Sequence, residues 1–266
     1  MHSRKKAEQS AVIHVYIDMS SNGKIDRFSF LADTFLVDRK GRARVTTLCS
    51  HMIGCALRHA EARGFGATDS LGWVLARMAL HVERIPRWRE RFYVETWVRN
   101  LYHGFTDRCV RVVDEEGNEI ASMLAIFAMI DLNTRTSVDL NGDIGLCLNE
   151  CIKPDEPLAI TRIPSISRMG VENIAFRRTP KYSDVDINGH MNSIRYLDHI
   201  LDFLPIEYMD THNLTDFVVA YMKEGDATEE LAYGIKEIGE NRYLAQVTKE
   251  NGTVALRGEL KFAPIL

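Results

Sequence analysis

The two halves of this 266-residue chain repeat one another at an offset of 144 residues. A duplication restricts the choice of fold more than any single motif does. Residues 46–63 place Leu48, Met52, Cys55 and His59 on one side of a helical pattern, with Thr46 or Thr47 as the expected cap and Gly64 as the stop. At the offset, residues 192–204 give a second helix. Asn192 is its expected cap, Ile194, Leu197, Leu201 and Leu204 its apolar stripe, and Pro205 its stop. A strand follows each helix, over 72–82 and 216–222, with Trp73 falling on Phe217 and Met78 on Met222. Each half then reads as a meander, with strands near 91–100, 105–113 and 119–131, and near 229–238, 241–249 and 253–263. Asn251-Gly252 is a hairpin signal between the last two.

Each half is therefore expected to be one strand, one long helix and several antiparallel strands. A long helix wrapped by an antiparallel sheet is the hot-dog arrangement, and two in sequence give an α+β, tandem (double) hot-dog fold. The expected divisions are a disordered tail over 1–25, an N-terminal repeat over 26–137, a linker over 138–166 and a C-terminal repeat over 167–266. The linker holds three of the seven prolines (Pro154, Pro157 and Pro164) and little periodicity. Met19 opens a segment resembling an ordinary protein start, so residues 1–18 read as an extension.

Composition removes several classes of function. A net charge of −4 argues against a general nucleic-acid binder. No apolar run approaches the ~20 residues that span a bilayer, and residues 11–17 do not make a signal peptide. Cys49, Cys55, Cys109, Cys147 and Cys151 are odd in number and scattered, which reads as reduced thiols in a cytoplasmic compartment. No metal spacing is present, and no cofactor is expected.

Asp186, Asn188 and His190 stand two residues apart just before the second helix. In an extended segment they share one face, and a helix N-terminus offers free N–H groups to a developing negative charge. A carboxylate, an amide and an imidazole beside such donors point to acyl-group chemistry. At the offset of 144 their counterparts are Arg42, Arg44 and Thr46, so one site per chain is expected.

The run Asp184-Val-Asp-Ile-Asn-Gly-His-Met-Asn-Ser-Ile-Arg-Tyr196 is similar to the Asp-x-Asp-x-Asn-x-His-x-Asn pattern of the acyl-acyl-carrier-protein thioesterases, which include plant plastid enzymes and bacterial relatives. The resemblance extends over roughly residues 26–263, through Trp73–Met78, Arg84–Trp88, Glu95–Val98 and Ile130–Arg135. The family's Tyr-Arg-Arg-Glu-Cys segment reads Tyr221-Met-Lys-Glu-Gly225 here. Glu224 matches the family glutamate, and Gly225 stands where the family has a cysteine once proposed as a nucleophile. The resemblance therefore implies attack by water.

On this reading His190 is the general base or orients it. Glu224 activates water with it, Asn188 holds the carbonyl or the water, and Asp186 supports its neighbours. The backbone N–H groups of Met191 and Asn192 are the oxyanion candidates. Each has a plainer alternative: a capping histidine, a solvated edge glutamate, turn residues, an N-cap. Met52, Trp73 and Met78 are candidate lining of an acyl slot, or simply core. Arg84, Arg87 and Arg89, or Arg177, Arg178 and Lys181, are candidates for docking an acidic acyl carrier protein and its phosphopantetheine phosphate. The expected activity is hydrolysis of a fatty acyl-carrier-protein thioester, ending fatty acid elongation. An acyl-CoA thioesterase, a non-catalytic acyl-binding protein and a hydratase are the alternatives. Either a monomer or a homodimer fits, and chain-length preference is not readable.

Overall fold

The computed structural model describes residues 20–140, 143–170 and 174–265. The first half comprises β1 (Ser20–Asn22), β2 (Ile25–Leu31), α1 (Val45–Glu61), β3 (Leu71–Val82), β4 (Arg91–Tyr102), β5 (Phe105–Val113) and β6 (Glu119–Asp131). After α2 (Asp143–Cys151) come β7 (Ile174–Arg178), α3 (Arg195–Asp202), α4 (Ile206–Thr211), β8 (His212–Tyr221), β9 (Leu231–Gly239), β10 (Arg242–Lys249) and β11 (Val254–Pro264).

The strands join in one sheet, in the order β1-β2-β4-β5-β6-β3-β8-β11-β10-β9-β7. Outward from the β3–β8 seam, the first half runs β3-β6-β5-β4-β2 and the second β8-β11-β10-β9-β7, so strands of equal rank in each half occupy equal places. The seam pairs Arg77 with Ala220 through His81 with Asp216, antiparallel. One sheet thus continues through both halves, and the halves share one core.

That core forms where α1 lies against the sheet. Leu48, Cys49, Met52, Cys55 and Ala56 are buried with Phe28, Phe30, Phe92, Val94, Val110 and Val112. Burying a leucine or methionine of this kind contributes about 1.5–3 kcal/mol. The helix stops where expected: Gly64 takes φ +77°, and Phe65 N–H returns to the Ala60 carbonyl. Its start differs from expectation. Arg44 precedes it without a side-chain cap, and Thr46 and Thr47 lie inside the first turn. The preceding loop sets that end, because Arg44 N–H is held by the Leu36 carbonyl.

The second helix is also shorter than expected. α3 begins at Arg195 with Ile194 at its N-cap and no side-chain cap, while Asn192, two residues before Ile194, accepts its N–H at 2.9 Å in the preceding turn. Pro205 opens α4 rather than only ending α3. Of the expected tail, residues 1–19 lie outside the described residues, and residues 20–22 pair with 25–27 in a hairpin. The expected linker contains α2, and Leu148 and Cys151 of α2 are buried with Ala60, Phe65 and Val98 in a second apolar cluster.

In one place the two halves correspond at an offset other than the expected 144. The loop ahead of α1 and the loop ahead of α3 make the same hydrogen bonds 148 residues apart. Asp38 N–H reaches the Arg42 carbonyl as Asp186 N–H reaches that of His190. Gly41 N–H reaches the Asp38 carbonyl as Gly189 N–H reaches that of Asp186, with φ +69° and +78°. Ala43 N–H is held by the Pro86 carbonyl as Met191 N–H is held by that of Gly225. The counterparts of Asp186, Asn188 and His190 are therefore Asp38, Lys40 and Arg42, not Arg42, Arg44 and Thr46.

Candidate active site

Residues 185–191 form a pinched loop closed by a bridge between Val185 and Met191. Asp186 builds it. One carboxylate oxygen accepts the Asn188 N–H at 2.8 Å and the His190 N–H at 3.2 Å. Gly189 supplies the left-handed residue that such a turn requires. The triplet is thus not spread along one face of an extended strand, as its spacing suggested. Asp186 turns back into the loop, Asn188 is exposed at its tip, and His190 is half-buried at its exit. The Asn188 side-chain amide has no hydrogen-bond partner among the described residues, and it faces solvent.

A second loop, after β8, completes the site. His190 and Asp226 form an isolated bridge, which brings Glu224 beside the imidazole. Glu224 Oε2 lies 3.7 Å from His190 Nε2. That is too long for a direct hydrogen bond and suits two groups that share one small molecule. Lys249 Nζ fixes this loop, donating to the Glu224 carbonyl at 3.0 Å while pairing with Asp226 at 3.2 Å and Glu229 at 2.9 Å. The Arg135 guanidinium also forms an ion pair with the Glu224 carboxylate. The sequence reading had marked the segment 130–135 as similar to the family, but not Arg135 as part of the site.

Beneath the loop lies a buried polar chain. Asp184 accepts from Lys181 N–H at 2.8 Å and lies 3.1 Å from His199 Nε2, and His199 Nδ1 lies 2.8 Å from the Tyr233 hydroxyl. Burial opposes ionisation of Asp184, but Lys181 N–H, His199 and Arg178 outweigh it and hold the carboxyl below its ordinary range. Burial, then Arg178, lowers His199, so it serves as a neutral donor to Asp184 and an acceptor from Tyr233. This chain anchors the loop to α3 from within.

The oxyanion expectation requires correction. Met191 N–H donates to the Gly225 carbonyl and Asn192 N–H to the Asp184 carbonyl, both at 2.8 Å. Met191 N–H ties the two loops together and Asn192 N–H closes its own loop, so neither is free for a substrate oxygen. The absent cysteine has a steric explanation. A Cβ added at Gly225 would lie 2.5 Å from the Tyr196 hydroxyl and 3.4 Å from both Leu231 and Met191. Elsewhere, burial pushes the thiols of Cys49, Cys55 and Cys109 up to about 12, away from nucleophilic thiolate character.

Of the expected acyl-slot residues, Trp73 borders a cavity of about 10 Å³ with Ala56, Leu57, Ala60, Thr106, Arg108 and Phe127. Met52 and Met78 do not; both are fully buried in the main core, where α1 packs on the sheet. The sequence reading missed Arg108, which is buried and donates to His59 Nδ1 at 2.8 Å.

The docking candidates divide in the same way. Arg84 is already used, by Glu90 at 2.6 Å and Asp114 at 3.0 Å. Arg87 and Arg89 are exposed, with Arg89 over the Trp88 ring at 4.2 Å, but they border the first-half loop, where Arg42 bridges Arg87. Arg177 faces Glu230 at 3.4 Å and Arg178 faces Asp184 at 3.5 Å. Lys181 is exposed just ahead of the 185–191 loop.

The fold is of the hot-dog thioesterase type. A structure of an acyl-ACP thioesterase from Bacteroides thetaiotaomicron matches with a TM-score of 0.83 and 38% identity, over 92% of this chain and 100% of that one. The 12:0-ACP thioesterase from Umbellularia californica matches with a TM-score of 0.83 over 92% and 100%, at 20% identity. The family models "Acyl-ACP thioesterase N-terminal domain" and "Acyl-ACP thioesterase C-terminal domain" match residues 27–146 and 171–263. The chain belongs to the acyl-ACP thioesterase family. A curated relative, the chloroplastic dodecanoyl-[acyl-carrier-protein] hydrolase of Cinnamomum camphora, is 27% identical over 221 residues, which cover 76% of this chain and 57% of the relative. The chain spans about half the length of the curated relatives it matches.

Proposed function

We propose that this protein hydrolyses fatty acyl thioesters carried on acyl carrier protein, releasing free fatty acid, through water activated between His190 and Glu224. The observation that carries this reading is the 3.7 Å gap from His190 Nε2 to Glu224 Oε2, at the exit of a loop whose tip carries the exposed Asn188. The equal strand order of the two halves supports a reading as tandem hot-dog repeats.

In the proposed mechanism a water in that gap is held by both groups. It attacks the thioester carbonyl while His190 and Glu224 together take its proton. The Asn188 amide, left free by the loop, donates to the carbonyl oxygen as negative charge builds there. Collapse of the tetrahedral intermediate breaks the C–S bond, and the proton passes to the leaving thiolate. The products are a carboxylic acid and the carrier's thiol. Asp186 acts through the loop, because its carboxylate sets the positions of Asn188 and His190.

The test is hydrolysis of a panel of acyl-carrier-protein thioesters, from short to long chains, alongside matched acyl-CoA substrates. Wild type should release free thiol from the carrier substrates, with His190→Ala and Glu224→Ala slower by about 10²–10⁴-fold, as loss of a general base requires. Faster turnover of the CoA esters would overturn the carrier assignment. Unchanged rates in both variants would overturn the site.

A further inference from the structure

Arg135 belongs to the first half, whereas the other residues of the proposed site belong to the second. It follows β6 in a turn that Asp131 organises: the Asp131 carboxylate accepts the Asn133 and Thr134 N–H groups, both at 2.8 Å. Arg135 N–H then closes on the Asp131 carbonyl at 2.8 Å, and Asp131 N–H on the Thr136 carbonyl at 2.9 Å. This closure leaves Arg135 at φ +59°, a left-handed conformation that costs a non-glycine residue about 1 kcal/mol. Glycine would relieve that strain, yet the position holds an arginine whose side chain ion-pairs with Glu224.

We propose that Arg135 is a positioning residue for the hydrolytic site: its guanidinium, reaching across from the first half, fixes the Glu224 carboxylate against His190. This rests on the function proposed above. The groups around that carboxylate support the assignment. His190 Nε2 faces it at 3.7 Å, and Lys249, paired with Asp226 and Glu229, engages only the Glu224 backbone carbonyl. Asp186 is engaged with its own loop, and Lys223 adjoins Glu224 in the chain. Among the described residues, Arg135 is the one permanently charged side chain in ion-pair contact with the Glu224 carboxylate. Glu224 is half exposed and would otherwise turn freely between rotamers. With Arg135 in place, one carboxylate oxygen is held at the imidazole.

The test compares Arg135→Gly with Arg135→Lys. Glycine removes the guanidinium and relaxes the left-handed backbone, so thermal stability should hold or rise while kcat falls about 10–100-fold with little change in KM. Lysine, which keeps a cation at that position, should recover part of the loss in kcat. Wild-type kcat in Arg135→Gly would overturn the proposal. A rise in KM confined to carrier-protein substrates, with kcat unchanged, would also overturn it and make Arg135 a docking contact. If wild type cleaves only CoA esters, the carrier reading fails, and the Arg135 measurements are made on those esters.

Discussion

At the scale of single residues, Gly225 separates this chain from a cysteine-dependent mechanism. Its position is buried, and a Cβ there would meet the rigid far end of Tyr196, with Leu231 and Met191 closing the other sides. Gly225→Cys, which restores the family residue, should therefore lower stability by about 1–3 kcal/mol through overpacking, with no gain in hydrolysis. Thermal melting together with steady-state turnover checks both parts. A stable, faster variant would return the thiol to the mechanism. The glycine itself was visible in the sequence. Its reason was not, because Tyr196 lies 29 residues earlier in the chain and only packing brings the two together.

At the scale of elements, α1 carries a pH sensitivity unrelated to catalysis. His51 on its inner side stacks against Phe30 at 4.2 Å, and its Nε2 is buried with no hydrogen-bond partner among the described residues. Burial, then Arg58, lowers its pKa from 6.5 to about 4. Below about pH 6.5 the unfolded chain binds a proton that the folded chain refuses, so this stabilising contribution is full above 6.5 and is lost as pH falls toward 4. His51→Phe, between two phenylalanines, should gain stability relative to wild type by about 1–2 kcal/mol more at pH 5 than at pH 7.5. Denaturant melts at both pH values measure this; an equal difference at the two would contradict it. The elements themselves were largely legible. β5 and β6 fall at the expected residues, because the polar run Asp114–Asn118 divides two apolar stretches. The start of α1 and the length of α3 were not, since loop hydrogen bonds set them and leave no local signal.

At the scale of the whole molecule, the loops ahead of α1 and α3 share one backbone design with different side chains. In the first, Arg42 is buried and binds Asp38, Asn213 and the Met209 carbonyl, so the residue in place of His190 ties the halves together. The basic stretch 84–89 borders that loop rather than the one with His190. A tethered thioester has limited reach, so we expect the carrier protein to engage the face around Lys181, where Tyr182 and Ile187 are fully exposed. Lys181→Glu should raise KM several-fold for an acyl-carrier-protein substrate, more at low salt. It should leave an acyl thioester of a small neutral thiol within about twofold, as should Arg87→Glu with Arg89→Glu for both substrates. The reverse pattern would move the docking face to the first-half loop.

The sequence by itself determined most strand boundaries and the resemblance to the family, and it pointed to the four candidate side chains Asp186, Asn188, His190 and Glu224. Each of these is written in local periodicity or in a run of a few residues. Tertiary structure alone decided that the triplet is a pinched loop, that Met191 and Asn192 have no free N–H, that Met52 and Met78 are core, and that Arg135 reaches Glu224. Those facts depend on which donor meets which acceptor and which side chains pack together once the chain has folded, within one loop for Asp186 and Asn192 and across the two halves for Arg135 and Glu224. A backbone N–H looks equally available at every position of a sequence, and only the folded sheet shows which ones are already bound.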